Sequence, residues 1–451
     1  MSRGAICGGL LLRPGASERA DFVRRLALPN PAHIAWLRHQ KGKAPQSHIH
    51  PVLAQDGGPW KGGAIVPRFA PGVHGADRTV RPEADALEFR GELRPYQVAA
   101  VEAAGAAGHG LIEAPTGAGK TVIGCGLIGR HNTPAIVLVH SRDLAEQWVE
   151  RIEQFLGVTP SLVGYGKKWP EDAGRVAVAS LQTLARRSWW DLHTWGSQFG
   201  LVLQDEAHHA PARTYLGVLA GLRARHRFGL TATPTREDGL TEWMRWSIGP
   251  TVARVDHRVL EEAGRVLRPK IHTWHAPAVE LDGMESHERM RALAEDPARN
   301  GGLCTEARLL AAKGHVVLML VRLVEHAHTL AAQLIEQGLD AAALVGEMRP
   351  ADRAEVLERM RAGRVQVVVA TSLADEGLDA PRISSVILAA PTKNVGRTLQ
   401  RIGRALRPAE GAPDPVVVDV VDSWGPYQGY GRKRHAEYAR RGWLDSASTA
   451  R

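Results

Sequence analysis

Cysteine is nearly missing from this 451-residue chain: there are three, Cys7, Cys125 and Cys304, far apart in the sequence. So few and so scattered, they build neither a disulfide framework nor a cysteine-only zinc site. They suit a reducing compartment and are expected to be small buried hydrophobes. Aromatic residues make up only 5%. No run of about 18 apolar residues occurs, so no transmembrane helix is expected. Residues 1–12 carry one Arg and a Gly-broken apolar stretch ending Leu10-Leu11-Leu12, with no small-x-small cleavage site after it. Export is therefore not expected, and a cytoplasmic location is (nucleoid-associated if the source is prokaryotic). Internal repeats and low-complexity tracts are absent as well.

What is present is ordinary in bulk and informative in its placement. A hydrophobic content of 44% and a charged content of 23% are those of a globular protein. The length suggests about three domains at roughly 150 residues each. Net charge is +9, and it sits at the ends. Residues 1–90 hold 13 Lys and Arg against 7 Asp and Glu, and residues 423–451 hold 6 against 2. The body between them is close to neutral. Basic ends point to a polyanionic partner. Nucleic acid fits better than membrane, because no long basic amphipathic helix is evident.

From about Gly91 onward, β-rich apolar runs alternate with helical stretches. The runs are 135–139, 176–179, 201–203, 316–321, 365–369, 385–388 and 416–418. Most are apolar at successive positions, as strands covered on both faces must be. Helical periodicity marks 144–155 and 352–361, the latter stopped by Gly363. This order predicts an α/β fold with parallel sheets built from right-handed crossovers. The alternation pauses between about Trp243 and Asn300, which reads as a hinge between two lobes plus the entry to the second. The first 90 residues, rich in Gly, Pro and His, predict a small loop-rich accessory domain. The expected division is 1–89, 90–255 and 256–451.

Three motifs carry chemistry. Ala114-Pro115-Thr116-Gly117-Ala118-Gly119-Lys120-Thr121 follows the apolar Leu111-Ile112 and leads into a helical stretch. Its glycines let backbone N–H groups curl around phosphates at a helix N-terminus. Lys120 would reach the β- and γ-phosphates of ATP, and the Thr121 hydroxyl would ligate Mg²⁺. Asp205-Glu206-Ala207-His208-His209 comes straight after an apolar strand. Asp205 at a strand end can hold Mg²⁺, and Glu206 can act as general base on the attacking water. In the third motif, 400–407, helical spacing puts Gln400, Arg404 and Arg407 on one face, where arginines can serve as fingers to a γ-phosphate.

With these residues in place, the chain resembles superfamily 2 helicases and translocases of the DEAH type, in the XPB-like and phage repair-helicase branch. The resemblance spans roughly residues 90–445, with every core motif in family order. It implies two RecA-like lobes in tandem and ATP hydrolysis coupled to movement on DNA, in repair or recombination. Leu93-Arg94-Pro95-Tyr96-Gln97 resembles the Q-like motif, which implies that Gln97 reads adenine with Arg94 helping. His140-Ser141-Arg142-Asp143-Leu144 resembles motif Ia, and Ser180-Leu181-Gln182-Thr183 the next strand-contacting motif. Thr231-Ala232-Thr233-Pro234 resembles motif III, and Arg236-Glu237-Asp238 matches a tripeptide typical of XPB-like proteins. Val321-Arg322 with His326 resembles motif IV. Thr371-Ser372 and 375–379 resemble motif V, which places Gly377 and Asp379 toward the nucleotide. The implied nucleic-acid grip is Arg142, Gln182, Thr183, Arg322 and Thr371, through the backbone rather than the bases.

Two departures from the family pattern bear on this. Gln400 stands where DEAD-box RNA helicases have His, and motif III reads Thr-Ala-Thr, both favouring DNA as partner over RNA. The interval from Thr233 to Val316 leaves little room for an inserted thumb. The rival readings are an RNA helicase, and a nucleic-acid-binding assembly subunit with little hydrolysis. Among weaker features, Trp189, Trp190 and Trp195 are expected to pack under a loop rather than stack on bases. His33, His39, His48 and His50 lack regular metal-ligand spacing. Arg223, Arg225 and Arg227 read as a solvated helix end. For 432–435, Arg-Lys-Arg-His, contact with DNA phosphates and capping of the last helix are equally good readings.

Overall fold

In the computed structural model, the described residues are 5–6, 9–12, 26–29, 48–49, 53–54, 64–71, 73, 76–83, 87–208, 212–234, 236, 239–264, 266–371, 383–392, 395, 398–399, 402–403 and 411–444. They fall into two compact units, Met1–Val255 and Asp256–Arg451. Each unit is built on one all-parallel sheet.

The first unit opens with short strands: β1 (Ala5–Ile6), β2 (Gly9–Leu12), β3 (Leu28–Pro29), β4 (His48–Ile49), β5 (Leu53–Ala54), β6 (Ala64–Pro67) and β7 (Ala76–Asp77). Five of them form a sheet in the order β5-β6-β2-β1-β7, and β3 pairs with β4. Strands of two to four residues cannot build a large core. This segment instead leans on the parallel-sheet lobe that follows it. Phe69 N–H donates to the Trp246 carbonyl at 2.8 Å, and Val80 bridges Ala224. The Thr133 hydroxyl donates to the Pro82 carbonyl at 2.7 Å.

The lobe itself contains β8 (His109–Glu113), β9 (Ala135–Val139), β10 (Ser161–Val163), β11 (Val176–Ser180), β12 (Leu201–Gln204), β13 (His226–Thr231) and β14 (Thr251–Arg254). Their order is β10-β11-β9-β12-β13-β8-β14, every pairing parallel. Strands such as Ala135-Ile136-Val137-Leu138-Val139 are buried along their whole length because helices cover both faces. The helix Arg142–Leu156 shows how those helices are specified. Ser141 caps it through a bond accepted from Leu144 N–H, and Gly157 ends it in the left-handed region at φ 65°. Its buried stripe is Ala145, Trp148, Ile152 and Leu156, spaced three and four apart.

The second unit holds β15 (Lys270–His275), β16 (Val316–Leu320), β17 (Ala341–Leu344), β18 (Val367–Ala370), β19 (Ile383–Leu388) and β20 (Val416–Val421), in the order β15-β20-β19-β16-β18-β17. All pairings are again parallel. The expected α/β architecture of two parallel-sheet lobes is therefore present.

Three expectations need correction. The stretch from Trp243 to Asn300 does contain the boundary between the two units, at Val255/Asp256, but the alternation does not stop there, since β14 and β15 lie in it. Both are edge strands, and β15 alternates between exposed and part-buried positions, so no apolar run announces it. Arg227 is not part of a solvated helix end. It lies in β13, buried, and its guanidinium donates to the carbonyls of Ser247 (2.8 Å), Leu219 (2.9 Å) and Leu222 (3.2 Å). Those carbonyls close the helices Ala212–Gly221 and Thr241–Ile248, where a cation is favourable. Arg434, in the last helix Gly425–Arg440, is buried on Asp419 with Nε to Oδ1 at 2.9 Å, so it is not available to phosphates.

Elsewhere the reading holds. Cys125 and Cys304 are free and buried, their thiols pushed up by burial to about 12 and about 11. Trp195 packs against Trp169 and Phe199, and Trp189 donates to the Ala220 carbonyl, but Trp190 stays 43% exposed. Cys7, His33, His39, His50 and the side chain of His48 lie outside the described residues. No helix among those described is long and apolar enough to cross a membrane.

Candidate functional site

Parallel strands deliver their following loops to one rim, and the strand order decides which loops become neighbours. In the first unit, the rim carries residues 114–121 after β8, 232–234 and 236 after β13 and 205–208 after β12. Further along come 140–142 after β9 and 181–183 after β11. The putting-together of the first three loops makes one site, and the last two make another beside it.

Leading out of β8, the Ala114 N–H donates to the Thr231 carbonyl, which fixes the loop against β13. Gly117 and Gly119 take left-handed φ values of 89° and 75°. These are conformations glycine adopts freely and other residues resist. A side chain at Gly119 would also put its Cβ 2.6 Å from Gln97 Nε2. Gln97 is buried at the first turn of the helix Pro95–Ala107, where its amide donates to the Ala118 carbonyl and accepts from Arg94 N–H. Gln97 thus ties Arg94 to the phosphate loop at Ala118. The loop passes into the helix Lys120–His131, which presents Lys120 and Thr121 in its first turn.

Across from it, Lys120 Nζ lies 3.2 Å from Glu206 Oε1. Asp205 and Glu206 are both buried, at 4% and 4% exposure. Burial first, then the neighbouring Glu206 charge, hold the Asp205 carboxyl above the usual carboxylate range, with Lys120 and the Trp148 indole pulling the other way. Glu206 takes φ 44°, a left-handed strain of the kind concentrated at functional sites. His208 Nδ1 sits 3.6 Å from Glu206 Oε2 and 2.8 Å from Thr231 Oγ1, which itself donates to the Thr233 carbonyl. Arg236 donates to the His208 carbonyl at 3.2 Å. A continuous polar chain therefore runs from the acidic pair into residues 231–236.

The residues fit a magnesium nucleotide. Asp205 and Glu206, adjacent buried carboxylates beside the Lys120 ammonium, are the donor type that a divalent cation on a phosphate takes. Magnesium usually takes one or two carboxylates plus phosphate oxygens, not an all-protein cage. Correspondingly, no group of three or more His, Cys, Asp or Glu able to hold a metal occurs among the described residues.

On the neighbouring part of the rim, Arg142 is exposed and pairs with Glu146 at 2.9 Å. Gln182 donates to the His140 carbonyl at 3.0 Å, so the loops after β9 and β11 are tied together, with Thr183 half-buried next to them. In the second unit, Arg322 follows β16 and is exposed, whereas Thr371 follows the adjacent β18 and is buried. His326 is buried on Asn300 rather than presented at the surface. Gly377, Asp379, Gln400, Arg404 and Arg407 lie outside the described residues.

One participant escaped the sequence reading. Trp148 Nε1 donates to Asp205 Oδ2 at 2.8 Å. Its only sequence signal is a place on the apolar stripe of an amphipathic helix, which any core residue shares.

Comparison with known proteins places this rim in context. Residues 90–236 match the family "Type III restriction enzyme, res subunit", and residues 302–409 match "Helicase conserved C-terminal domain". A Rad25 protein of Haloarcula marismortui is 30% identical over 333 residues, covering 72% of this chain and 52% of that protein. The "DNA 3'-5' translocase XPB2" of Sulfurisphaera tokodaii is 27% identical over 372 residues, covering 73% of this chain and 81% of the relative. The chain thus spans about half the length of the first of these. In fold, it is similar to the Hef helicase domain of Pyrococcus furiosus, at TM-score 0.54 and 17% identity, covering 76% of this chain and 98% of that one.

Proposed function

We propose that this chain is an XPB-like superfamily 2 helicase, an ATP-driven motor that moves on or unwinds DNA, in repair or recombination. One observation carries the reading: Lys120 and Glu206 meet at 3.2 Å beside a buried Asp205, on a rim that continues into Arg142, Gln182 and Thr183.

In this reading the 114–121 loop wraps the phosphates with backbone N–H groups, and Lys120 exchanges Glu206 for the β- and γ-phosphate oxygens. Asp205 and Thr121 would hold Mg²⁺, which supplies charge neutralisation on the phosphates when bound. Released from Lys120, Glu206 accepts the proton of the attacking water. His208 and Thr231 pass the change at Glu206 to residues 231–236. Gln97 and Arg94 lie next to the loop and serve the nucleotide base.

The partner is DNA, held through phosphates by Arg142, Gln182 and Thr183 in one unit and by Arg322 in the other, whereas Thr371 is buried and not placed to touch a phosphate. The basic surplus of residues 1–89 adds to that affinity. ATP hydrolysis should be measured with single-stranded DNA, duplex DNA and RNA. Stimulation by either DNA and not by RNA supports the reading, stimulation by RNA alone turns it into an RNA helicase, and no hydrolysis with any of them refutes it.

A further inference from the structure

Three groups donate to Asp205, whose own N–H donates to the Leu138 carbonyl at 3.0 Å. Its Oδ1 accepts from the Glu206 N–H at 2.9 Å, its carbonyl accepts from Gln204 Nε2 at 3.0 Å, and its Oδ2 accepts from the indole of Trp148 at 2.8 Å. The first two bonds come from neighbours in sequence and fix the backbone and one oxygen. Only the third reaches across the fold, from a helix 57 residues away.

Trp148 is wholly buried, and a buried indole N–H needs an acceptor as much as a buried carboxylate needs donors. Its ring lies against Gly124 of the helix Lys120–His131. A Cβ there would stand 2.5 Å from the Trp148 ring, so the indole occupies space that only glycine leaves open. One side chain thus touches both the helix that presents Lys120 and Thr121 and the carboxylate facing them. The helix bearing Trp148 begins at Arg142, on the nucleic-acid side of the rim.

We propose that Trp148 is a positioning residue for magnesium: its N–H turns the Asp205 carboxylate so that its remaining lone pairs face the phosphate loop. A carboxylate in low dielectric with a free second oxygen can rotate or take a proton. Donation from a fixed indole leaves one orientation, and residues that orient a metal ligand in this way change metal affinity by about 10- to 100-fold when removed. The inference rests on Asp205 being the cation-holding carboxylate.

The test uses the full-length protein and a fluorescent N-methylanthraniloyl ATP. Nucleotide binding is titrated first in EDTA, then against increasing Mg²⁺. Trp148→Phe should bind nucleotide in EDTA within about twofold of wild type, while the half-saturating Mg²⁺ concentration rises about tenfold or more. Because a smaller ring can disturb packing, benzothienylalanine at position 148 provides a second comparison, keeping the bicyclic shape and replacing N–H with sulfur. It should show the same Mg²⁺ shift. Superimposable Mg²⁺ titrations for wild type and the benzothienylalanine variant overturn the proposal. Asp205→Asn separates the two levels. If it shifts the Mg²⁺ curve and the position-148 variants do not, this inference fails alone. If Asp205→Asn itself leaves the curve unmoved, the assignment of Asp205 fails with it.

Discussion

Lys120 Nζ and Glu206 Oε1 stand 3.2 Å apart, bringing together residues 86 positions apart in the sequence. Both side chains are largely withdrawn from water, at 13% and 5% exposure, and His208 Nδ1 lies 3.6 Å from the other Glu206 oxygen. In the proposed ATP site, a phosphate that captures Lys120 takes it from Glu206 in the same event. In that reading, nucleotide binding and activation of the base are one exchange of partners rather than two independent steps.

Arginines hidden in each unit give the first prediction. Removing the cation of Arg434→Ala leaves Asp419 buried and uncompensated, at a cost of about 3–5 kcal/mol. Thermal unfolding followed by circular dichroism should show the transition of that unit falling by roughly 10 °C. Lys433→Ala, one position away and exposed, should shift it by less than about 1 °C. Equal effects from the two would mean that the Arg434–Asp419 pair is not what holds the last helix in place.

Acid should weaken the fold through two buried histidines. Burial lowers His131 to about 3, with the His226 and Arg81 charges adding to the effect, and lowers His326 to about 4. Their folded pKa values lie below the unfolded value of about 6.5, so the unfolded chain binds more protons in that window. Stability is full above pH 6.5 and declines as pH falls toward 4 and 3. Each group costs about 2 kcal/mol between pH 6.5 and pH 5. Melting temperatures across that range should fall, and His131→Phe, keeping a ring against His226, should flatten the slope. A slope unchanged by the substitution would remove His131 from the account.

For the basic N-terminal segment, the expectation concerns salt. Replacing Lys41, Lys43 and Lys61 by Ala should weaken DNA binding and make log affinity depend less steeply on log salt, by about 0.9 per lost phosphate contact on duplex. Substitution is preferable to deletion, because Leu87 is buried and Pro82 accepts from Thr133, so truncation near Glu88 would strip part of the first lobe. Unchanged affinity and slope would make those charges a solvated surface.

Much of this site was legible before folding because its motifs are contiguous. Residues 114–121 and 205–208 each follow an apolar run, and a parallel sheet must bring such strand ends to one rim. The order β12-β13-β8, which seats Thr231 between them, was not legible. Strand order depends on pairings that no local pattern records. Arg227 and Arg434 were misread for the same reason. Arginine in a sequence reads as surface, and only the tertiary fold supplies the helix-end carbonyls and the Asp419 carboxylate that let it be buried. Trp148 looked like core and is core, yet its N–H also serves Asp205.

The central claim is that Glu206 and Lys120 drive ATP hydrolysis, and one comparison tests it most directly. Hydrolysis by wild type, Lys120→Ala and Glu206→Gln is measured with saturating single-stranded DNA, alongside nucleotide binding and a melting curve for each protein. Glu206→Gln should remain folded and bind ATP while hydrolysing it at least about a hundredfold more slowly. Lys120→Ala should lose binding and hydrolysis together. Turnover by Glu206→Gln near the wild-type rate would contradict the account, because no other group on this rim is placed by it to take the proton from water.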